Sequence, residues 1–375
     1  MPPTVLHVCE PIDGGAAVVV NQLVDDQVPR GWDVAVAGPT GGFLLERSAA
    51  SGARAVAWDA VGGPGPGVLG EVQRLGRIIA ELDPDVVHLH SSKAGLAGRL
   101  ALRGRRPTIF QPHGWSFRVI TGWQSWAALR WERRGARWAT IVNVSEAECR
   151  RGVAAGLDAE FEVIANSVDT ERFAFVDDTS RRAARADLGL VGAPTAICVG
   201  RMTAEKGHDV LLAAWPGVRE QVPEAVLLLV GDGPLRAAFE SLGLPGVRFV
   251  GEVTDVRPWL GSADVLALPS HSEGMALSVL EALSTGLSIV ATDVDGAREA
   301  VGDRDSPAGQ IVPIGDSDAL GAAIVTRLTD LELARLEGRR GRARAEERFD
   351  RRRWGELFAN LVERLREQAS GLQPP

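Results

Sequence analysis

Glu273 and Glu281 stand eight positions apart in Ser272-Glu273-Gly274-Met275-Ala276-Leu277-Ser278-Val279-Leu280-Glu281, a segment that reads as the start of a helix. At a rise of about 1.5 Å per residue, a helix over 275–284 sets the two backbone positions roughly 12 Å apart. Glycosidase carboxylates act on one carbon from about 5 to 9.5 Å, so this pair suits two parts of one long ligand. A nucleotide sugar has that length. Gly274 lets the chain approach a ligand closely, and the N–H groups of Met275, Ala276 and Leu277 at the helix start suit a phosphate. The same residues also read as a surface helix with one solvated Glu and one N-terminal Glu favoured by the dipole.

Gly200-Arg201-Met202-Thr203-Ala204-Glu205-Lys206-Gly207 follows an apolar run and precedes a helical one. Arg201 and Lys206 at a strand's carboxyl end can together neutralise a departing diphosphate without a metal. Surface ion pairs with Asp209 or Glu205 are the alternative. Earlier, Gly14-Gly15 closes the turn from a first strand into a helical run. Such a turn sets backbone donors against an anion, although a plain tight turn looks the same. The spaced glycines of a dinucleotide fingerprint are missing there, which disfavours a nicotinamide cofactor.

His88, His90 and His113 invite a zinc site. His88 and His90, however, alternate along a buried run, where a satisfied core histidine is the commoner outcome, and no fourth ligand stands out. Asp-x-Asp pairs, which can hold a divalent ion on a diphosphate, occur at Asp83/Asp85, Asp293/Asp295 and Asp316/Asp318, as chance allows in an acidic chain. No metal and no cofactor beyond the nucleotide substrate are expected, because Arg201 and Lys206 already supply positive charge. Arg130, Arg133, Arg134 and Arg137 recur at helical spacing, with Ala127, Trp131 and Trp138 on another face. That stripe either rests on anionic lipid headgroups or is a solvated face, and the nearby Glu132 favours the latter.

The elements that must position these residues are short Val- and Ile-rich runs alternating with helical stretches, the pattern of a parallel sheet covered on both faces. Strands are expected near 5–8, 33–37, 53–58, 85–89, 108–111, 140–144 and 161–164. A second series falls near 196–199, 226–230, 247–250, 265–268, 288–291 and 310–313. The series break at 166–175, so two facing domains with one ligand cleft are expected. Residues 62–67, Gly-Gly-Pro-Gly-Pro-Gly, predict a mobile surface loop. The final helical stretch, 351–368, is placed to cross back onto the first domain.

At 375 residues the chain suits two cores, and 45% hydrophobic with 24% charged residues describes a soluble globular protein. A net charge of -8 gives no case for nucleic acid as a partner. Cys9, Cys149 and Cys198 are isolated, so a reducing compartment fits. Neither an export signal nor a membrane-spanning run is visible, and a cytoplasmic location is expected, peripheral to the inner membrane face if the arginine stripe binds lipid.

An ordered series of motifs carries a resemblance over most of the chain. It comprises Gly14-Gly15, His88-Leu89-His90, Gln111-Pro112-His113-Gly114, Asn166-Ser167-Val168-Asp169 and Gly200 to Gly207. It continues through Leu229-Val230-Gly231-Asp232-Gly233-Pro234, Phe249-Val250-Gly251, Ala263-Asp264-Val265 and Ser272 to Glu281. The chain resembles the retaining glycosyltransferases of family 4, with an α/β GT-B fold of two facing Rossmann-like domains and a central cleft. Ser167 departs from the family's usual Gly.

The resemblance implies an acceptor-binding domain over 1–168, to which helix 351–368 returns, and a donor-binding domain over 169–350. It implies that Gly200, Arg201 and Lys206 hold the donor diphosphate, with backbone groups at Gly14, Gly15, Gly274, Met275, Ala276 and Leu277. Glu281 would accept from ribose hydroxyls, Glu273 would contact the donor sugar, His113 would lie near the transferring carbon, and 251–253, including Val253, would line the base pocket. Gln111 to Phe117 resembles the version in surface-polysaccharide enzymes and points to a UDP-sugar donor. Lipid-linked saccharides and small aglycones are both implied as acceptors. Two alternatives stay open: an epimerase or hydrolase of nucleotide sugars on the same fold, and a non-catalytic two-lobed sugar-binding protein.

Overall fold

The computed structural model describes residues 2–60, 67–119, 122–302 and 305–371. Of the Gly/Pro segment expected to form a loop, 62–66 lies outside the described residues. The chain divides into two compact units, the first formed by 1–166 with 352–375 and the second by 167–351.

The first unit holds strands β1 (Thr4–Cys9), β2 (Asp33–Gly38), β3 (Arg54–Ala57), β4 (Val86–His90), β5 (Thr108–Gln111), β6 (Thr140–Asn143) and β7 (Phe161–Val163). They form one sheet in the order β3-β2-β1-β4-β5-β6-β7, with every pairing parallel. Side chains alternate across it. Ala35 and Ala37 of β2 join one apolar cluster, whereas Val34 and Val36 join the cluster on the opposite face. Strands β1 and β4 are both almost wholly buried, and β4 carries His88 and His90 within that buried run.

The second unit holds β8 (Thr195–Val199), β9 (Val226–Val230), β10 (Val247–Gly251), β11 (Val265–Leu268), β12 (Ser288–Thr292) and β13 (Gly309–Val312), in the order β10-β9-β8-β11-β12-β13 and again wholly parallel. Its core gathers Leu227 and Leu229 of β9 with Trp215, Leu211 and Ile324 from the covering helices.

Helix Arg351–Gly371 belongs to the first unit from Arg352 onward. It buries Trp354, Phe358, Leu361, Val362 and Leu365, and the Phe358 ring lies 5.5 Å from that of His88. Helix Glu146–Ala154 shows how locally some starts are encoded: Ser145 caps it, its hydroxyl accepting from the Glu148 N–H at 3.1 Å.

Candidate active site

In the second sheet the chain steps outward from β8 to β9 and β10, and in the opposite direction from β11 to β12 and β13. The order thus reverses between the neighbouring strands β8 and β11, and it is beside such a reversal, at the carboxyl ends of the strands, that open parallel sheets bind ligands. The loops leaving these two strands both carry residues singled out from the sequence. They are fastened together at the backbone, the His271 N–H donating to the Glu205 carbonyl at 2.8 Å. Gly207 makes this approach possible. With φ +64, a Cβ there would fall 2.1 Å from the Pro269 carbonyl oxygen, so only glycine fits.

Across this junction Lys206 Nζ donates to Glu273 Oε1 at 2.7 Å, and the Ser270 hydroxyl donates to the same oxygen at 2.8 Å. Lys206 thus pairs with neither Asp209 nor Glu205, the partners weighed from sequence, because both loops turn inward over the gap between β8 and β11. Arg201 is exposed, and its side chain makes no hydrogen bond or ion pair among the described residues. One cation is thus held by a carboxylate and the other is open to an incoming anion.

The helix after β11 runs Leu277–Thr285, starting two residues beyond the expected position. Ala276 is extended at φ -72 and ψ 122, because the chain from Gly274 to Met275 lies against Gly296, whose added Cβ would meet the Gly274 oxygen at 2.5 Å. The amides that begin the helix are those of Leu277 and Ser278, while Met275 is buried toward the core. Glu281 lies on this helix. Burial pushes its carboxyl up to about 7 although part of the residue reaches solvent, and the positive Arg172 opposes the shift. Val253 is half-buried beyond the end of β10, at the same end of the sheet but two strands from β8.

The first sheet reverses direction between β1 and β4. Gly14 follows β1 and caps helix Gly15–Gln27 at φ 81 and ψ -167, a conformation suited to glycine. A Cβ added at Gly14 or Gly15 would meet nothing within 4 Å, so the space beside this helix start is open. His90 ends β4, and His113 follows β5 at φ 55, in the left-handed region that is strained for a histidine. The fully buried Glu148 holds that turn in place, accepting from the Gly114 N–H at 2.6 Å and the Val144 N–H at 2.8 Å. His90 Nδ1 lies 3.1 Å from His113 Nε2, and His7 on β1 extends the contact inward. Glu148 was legible in the Ser145-x-x-Glu148 spacing; His7 and Ser270 carry no local signal, since only the strand order brings them to the site.

Residues 13–172 match the family described as Glycosyltransferase Family 4, and residues 193–330 match Glycosyl transferases group 1. The GDP-mannose-dependent alpha-(1-6)-phosphatidylinositol monomannoside mannosyltransferase of Mycobacterium tuberculosis is 32% identical over 323 residues, covering 81% of this chain and 80% of that protein. The chain is a family 4 glycosyltransferase. The phosphatidyl-myo-inositol mannosyltransferase of Mycolicibacterium smegmatis is 31% identical to the glycosyltransferase, covering 96% of this chain and 92% of the relative. Anabaena HepE, solved in complex with UDP-glucose, superposes with TM-score 0.82 over 96% of this chain and 99% of its own at 22% identity, which shows the shared GT-B fold.

The glycosyltransferase groups its histidines differently from the trio considered for zinc. His7, not His113, joins His88 and His90, with ring nitrogens within 4.8 Å of one another. The Asp-x-Asp pairs are otherwise engaged: Asp293 accepts two bonds from Arg298 at 2.6 Å, Asp316 caps a helix through the Ala319 N–H at 2.9 Å, and Asp85 accepts from the Thr4 N–H at 2.9 Å. On helix Trp123–Gly135 the expected neutralising role of Glu132 is corrected, because Glu132 is buried and paired with Arg99 at 2.9 Å. Arg130, Arg133, Arg134 and Arg137 are exposed, and so are Trp123 and Trp126, a pair the sequence reading passed over in favour of Trp131 and Trp138. No helix of the glycosyltransferase, among the described residues, is long and apolar enough to cross a membrane.

Proposed function

We propose that this glycosyltransferase transfers a sugar from a nucleoside diphosphate sugar to a hydroxyl acceptor with retention of configuration and without a divalent metal. The observation that carries the reading is the pairing of Lys206 with Glu273 beside the open Arg201 at the reversal point of the second sheet. Two cations on the one loop after β8 suit a departing diphosphate, and charges held there need little reorganisation as the leaving group develops. In this reading Arg201, Lys206 and the amides at Leu277 and Ser278 receive the diphosphate, Glu281 accepts from the ribose hydroxyls, Glu273 from the sugar, and residues around Val253 line the base. His113 lies near the transferring carbon, and a leaving phosphate oxygen helps deprotonate the acceptor.

The base has two specific supports that differ. The Gln111 to Phe117 segment points to uridine, whereas two of the relatives are named as GDP-mannose-dependent or as mannosyltransferases. We take uridine as the donor base and guanosine as the second reading. Thermal stabilisation by UDP-, GDP- and ADP-sugars in the presence of a chelator decides between them, since a ligand that binds only the folded state raises the unfolding temperature. Stabilisation that vanished with chelator would overturn metal independence, and an inverted anomeric centre in the product would overturn retention.

The relatives named for phosphatidylinositol substrates support a lipid-borne acceptor. The exposed Trp123 and Trp126 beside four arginines support delivery of that acceptor from an anionic membrane surface.

A further inference from the structure

Four side chains form a continuous row through the first unit, from the end of helix Gly15–Gln27, across β1 and β4, to the loop after β5. Gln27 Oε1 lies 2.8 Å from His7 Nε2, His7 Nδ1 lies 3.2 Å from His90 Nε2, and His90 Nδ1 lies 3.1 Å from His113 Nε2. Gln27, His7 and His90 are 1%, 0% and 0% exposed, so water cannot supply or accept protons along the row. Nδ1 of His113, at the outer end, makes no hydrogen bond among the described residues.

Burial lowers His7 and His113 to about 4 and holds His90 well below the ordinary histidine value, so all three rings are neutral at physiological pH. A neutral imidazole has one donor and one acceptor nitrogen. A row of them therefore has a single direction, and whichever group sits at its end sets every tautomer. The Gln27 oxygen can only accept. His7 then carries its proton on Nε2 and accepts at Nδ1, His90 likewise, and His113 must donate from Nε2 and expose an Nδ1 lone pair.

We propose that Gln27 is a positioning residue for the transfer reaction, fixing His113 through His7 and His90 as the tautomer whose Nδ1 accepts a hydrogen bond from a hydroxyl of the donor sugar. The catalytic consequence rests on the assignment of His113 to the donor sugar made above; the row itself does not. The backbone supports the same end. Glu148 grips the Gly114 amide and holds His113 in its left-handed conformation, so ring and main chain are fixed from separate sides. Gln27 touches no substrate in this account and acts only by direction.

Nitrogen-15 NMR of the imidazoles in the unmodified protein tests the row without any substitution: His113 protonated at Nε2 is the expected result, and protonation at Nδ1 overturns it. An uncharged acceptor is what the Gln27 side chain contributes to the row. Gln27→Met removes it, and should give mixed tautomers at His113 with a fall in kcat of about tenfold, the size of one lost neutral hydrogen bond, while affinity for the nucleoside diphosphate alone is unchanged. A His113 tautomer unaltered in Gln27→Met sinks the proposal. So does a stoichiometric metal ion in the purified protein bound by His7, His88 and His90, which would claim the lone pairs the row uses. If His113→Ala leaves kcat unchanged, the assignment of His113 to the sugar falls, and the tautomer measurement still decides the row separately.

Discussion

Lys206 Nζ lies 2.7 Å from Glu273 Oε1, so the cation intended for the diphosphate and the carboxylate intended for the sugar are bound to each other. Under the proposed function, a donor bound here would exchange this ion pair for two protein–ligand contacts, with the Ser270 hydroxyl still donating to the Glu273 carboxylate.

Removing either partner should therefore harm turnover far more than folding. Lys206→Ala is expected to lower kcat/KM by about 10²- to 10³-fold, the usual cost of losing one preorganised charge at a leaving group. Glu273→Gln, which can still accept from Ser270, should lower it by a similar factor. Lys206 is 28% exposed at its side chain, so the melting temperature of Lys206→Ala should move little. Steady-state kinetics beside thermal unfolding check this. Unaltered donor affinity and rate in Lys206→Ala would remove the diphosphate assignment.

Glu281 yields a prediction in pH. Its carboxyl titrates near 7 in the folded protein against an ordinary 4.5, so between those values the folded state holds a proton that the unfolded chain has released. The stability this proton confers is fully present below pH 4.5 and is lost as pH rises to 7, amounting to at most about 3 kcal/mol. Ribose hydroxyls donating to Glu281 favour its ionised form, so nucleotide binding should expel a proton near pH 6 and tighten as pH rises to 7. Calorimetry in buffers of different ionisation enthalpy measures that proton. Glu281→Gln should abolish both the release and the pH slope of stability; a proton count equal to that of the unsubstituted protein would show that another group is responsible.

The inner strands were legible because they are short and buried on both faces, which leaves a largely apolar run in sequence between turn residues, while edge strands such as β3 and β10 are partly exposed and carry a weaker pattern. The loops after β8 and β11 were legible for a different reason: charged residues at a strand's carboxyl end have few uses other than ligand binding in a parallel sheet. The pairing of Lys206 with Glu273 was hidden, since it depends on β8 and β11 being neighbours, and no local pattern encodes strand order. His7 was overlooked on the same ground. It meets His90 only because β1 lies beside β4. The direction of Glu132 was misjudged because one residue on an amphipathic helix can lie at the margin of either face, and the fully buried Arg99 settles which one.

That buried pair sets up a stability prediction. Arg99 is 0% exposed and Glu132 2%, and the guanidinium also donates to the Gly95 carbonyl at 2.8 Å and lies over the Phe110 ring at 3.9 Å. Glu132→Ala leaves a charge in the interior without its counter-ion and should cost about 3–5 kcal/mol. The double change Arg99→Met with Glu132→Leu removes both charges and should be less destabilising than Glu132→Ala alone. Denaturant unfolding of the three proteins compares them. A Glu132→Ala variant within error of the parent would mean that the cation finds water the structure does not offer it.

Trp123 and Trp126 are 77% and 63% exposed on the helix that displays Arg130, Arg133 and Arg134, with Arg137 in the short turn that follows it, and Arg130 lies over the Trp126 ring at 5.1 Å. Two indoles in water beside four solvated cations suit the interface of an anionic bilayer, where each arginine near the surface contributes about 1 kcal/mol and the rings enter the headgroup region. The protein should float with vesicles rich in anionic lipid, less so as salt rises, and scarcely at all with zwitterionic vesicles. Trp123→Ala with Trp126→Ala should weaken flotation at any salt concentration, whereas Arg133→Gln with Arg134→Gln should flatten the salt dependence. Activity on a soluble acceptor analogue should be the same in all three proteins, because none of these residues belongs to the proposed donor site. Protein that stayed in solution with anionic vesicles at low salt would leave the helix a solvated face and the acceptor's route to the enzyme unassigned.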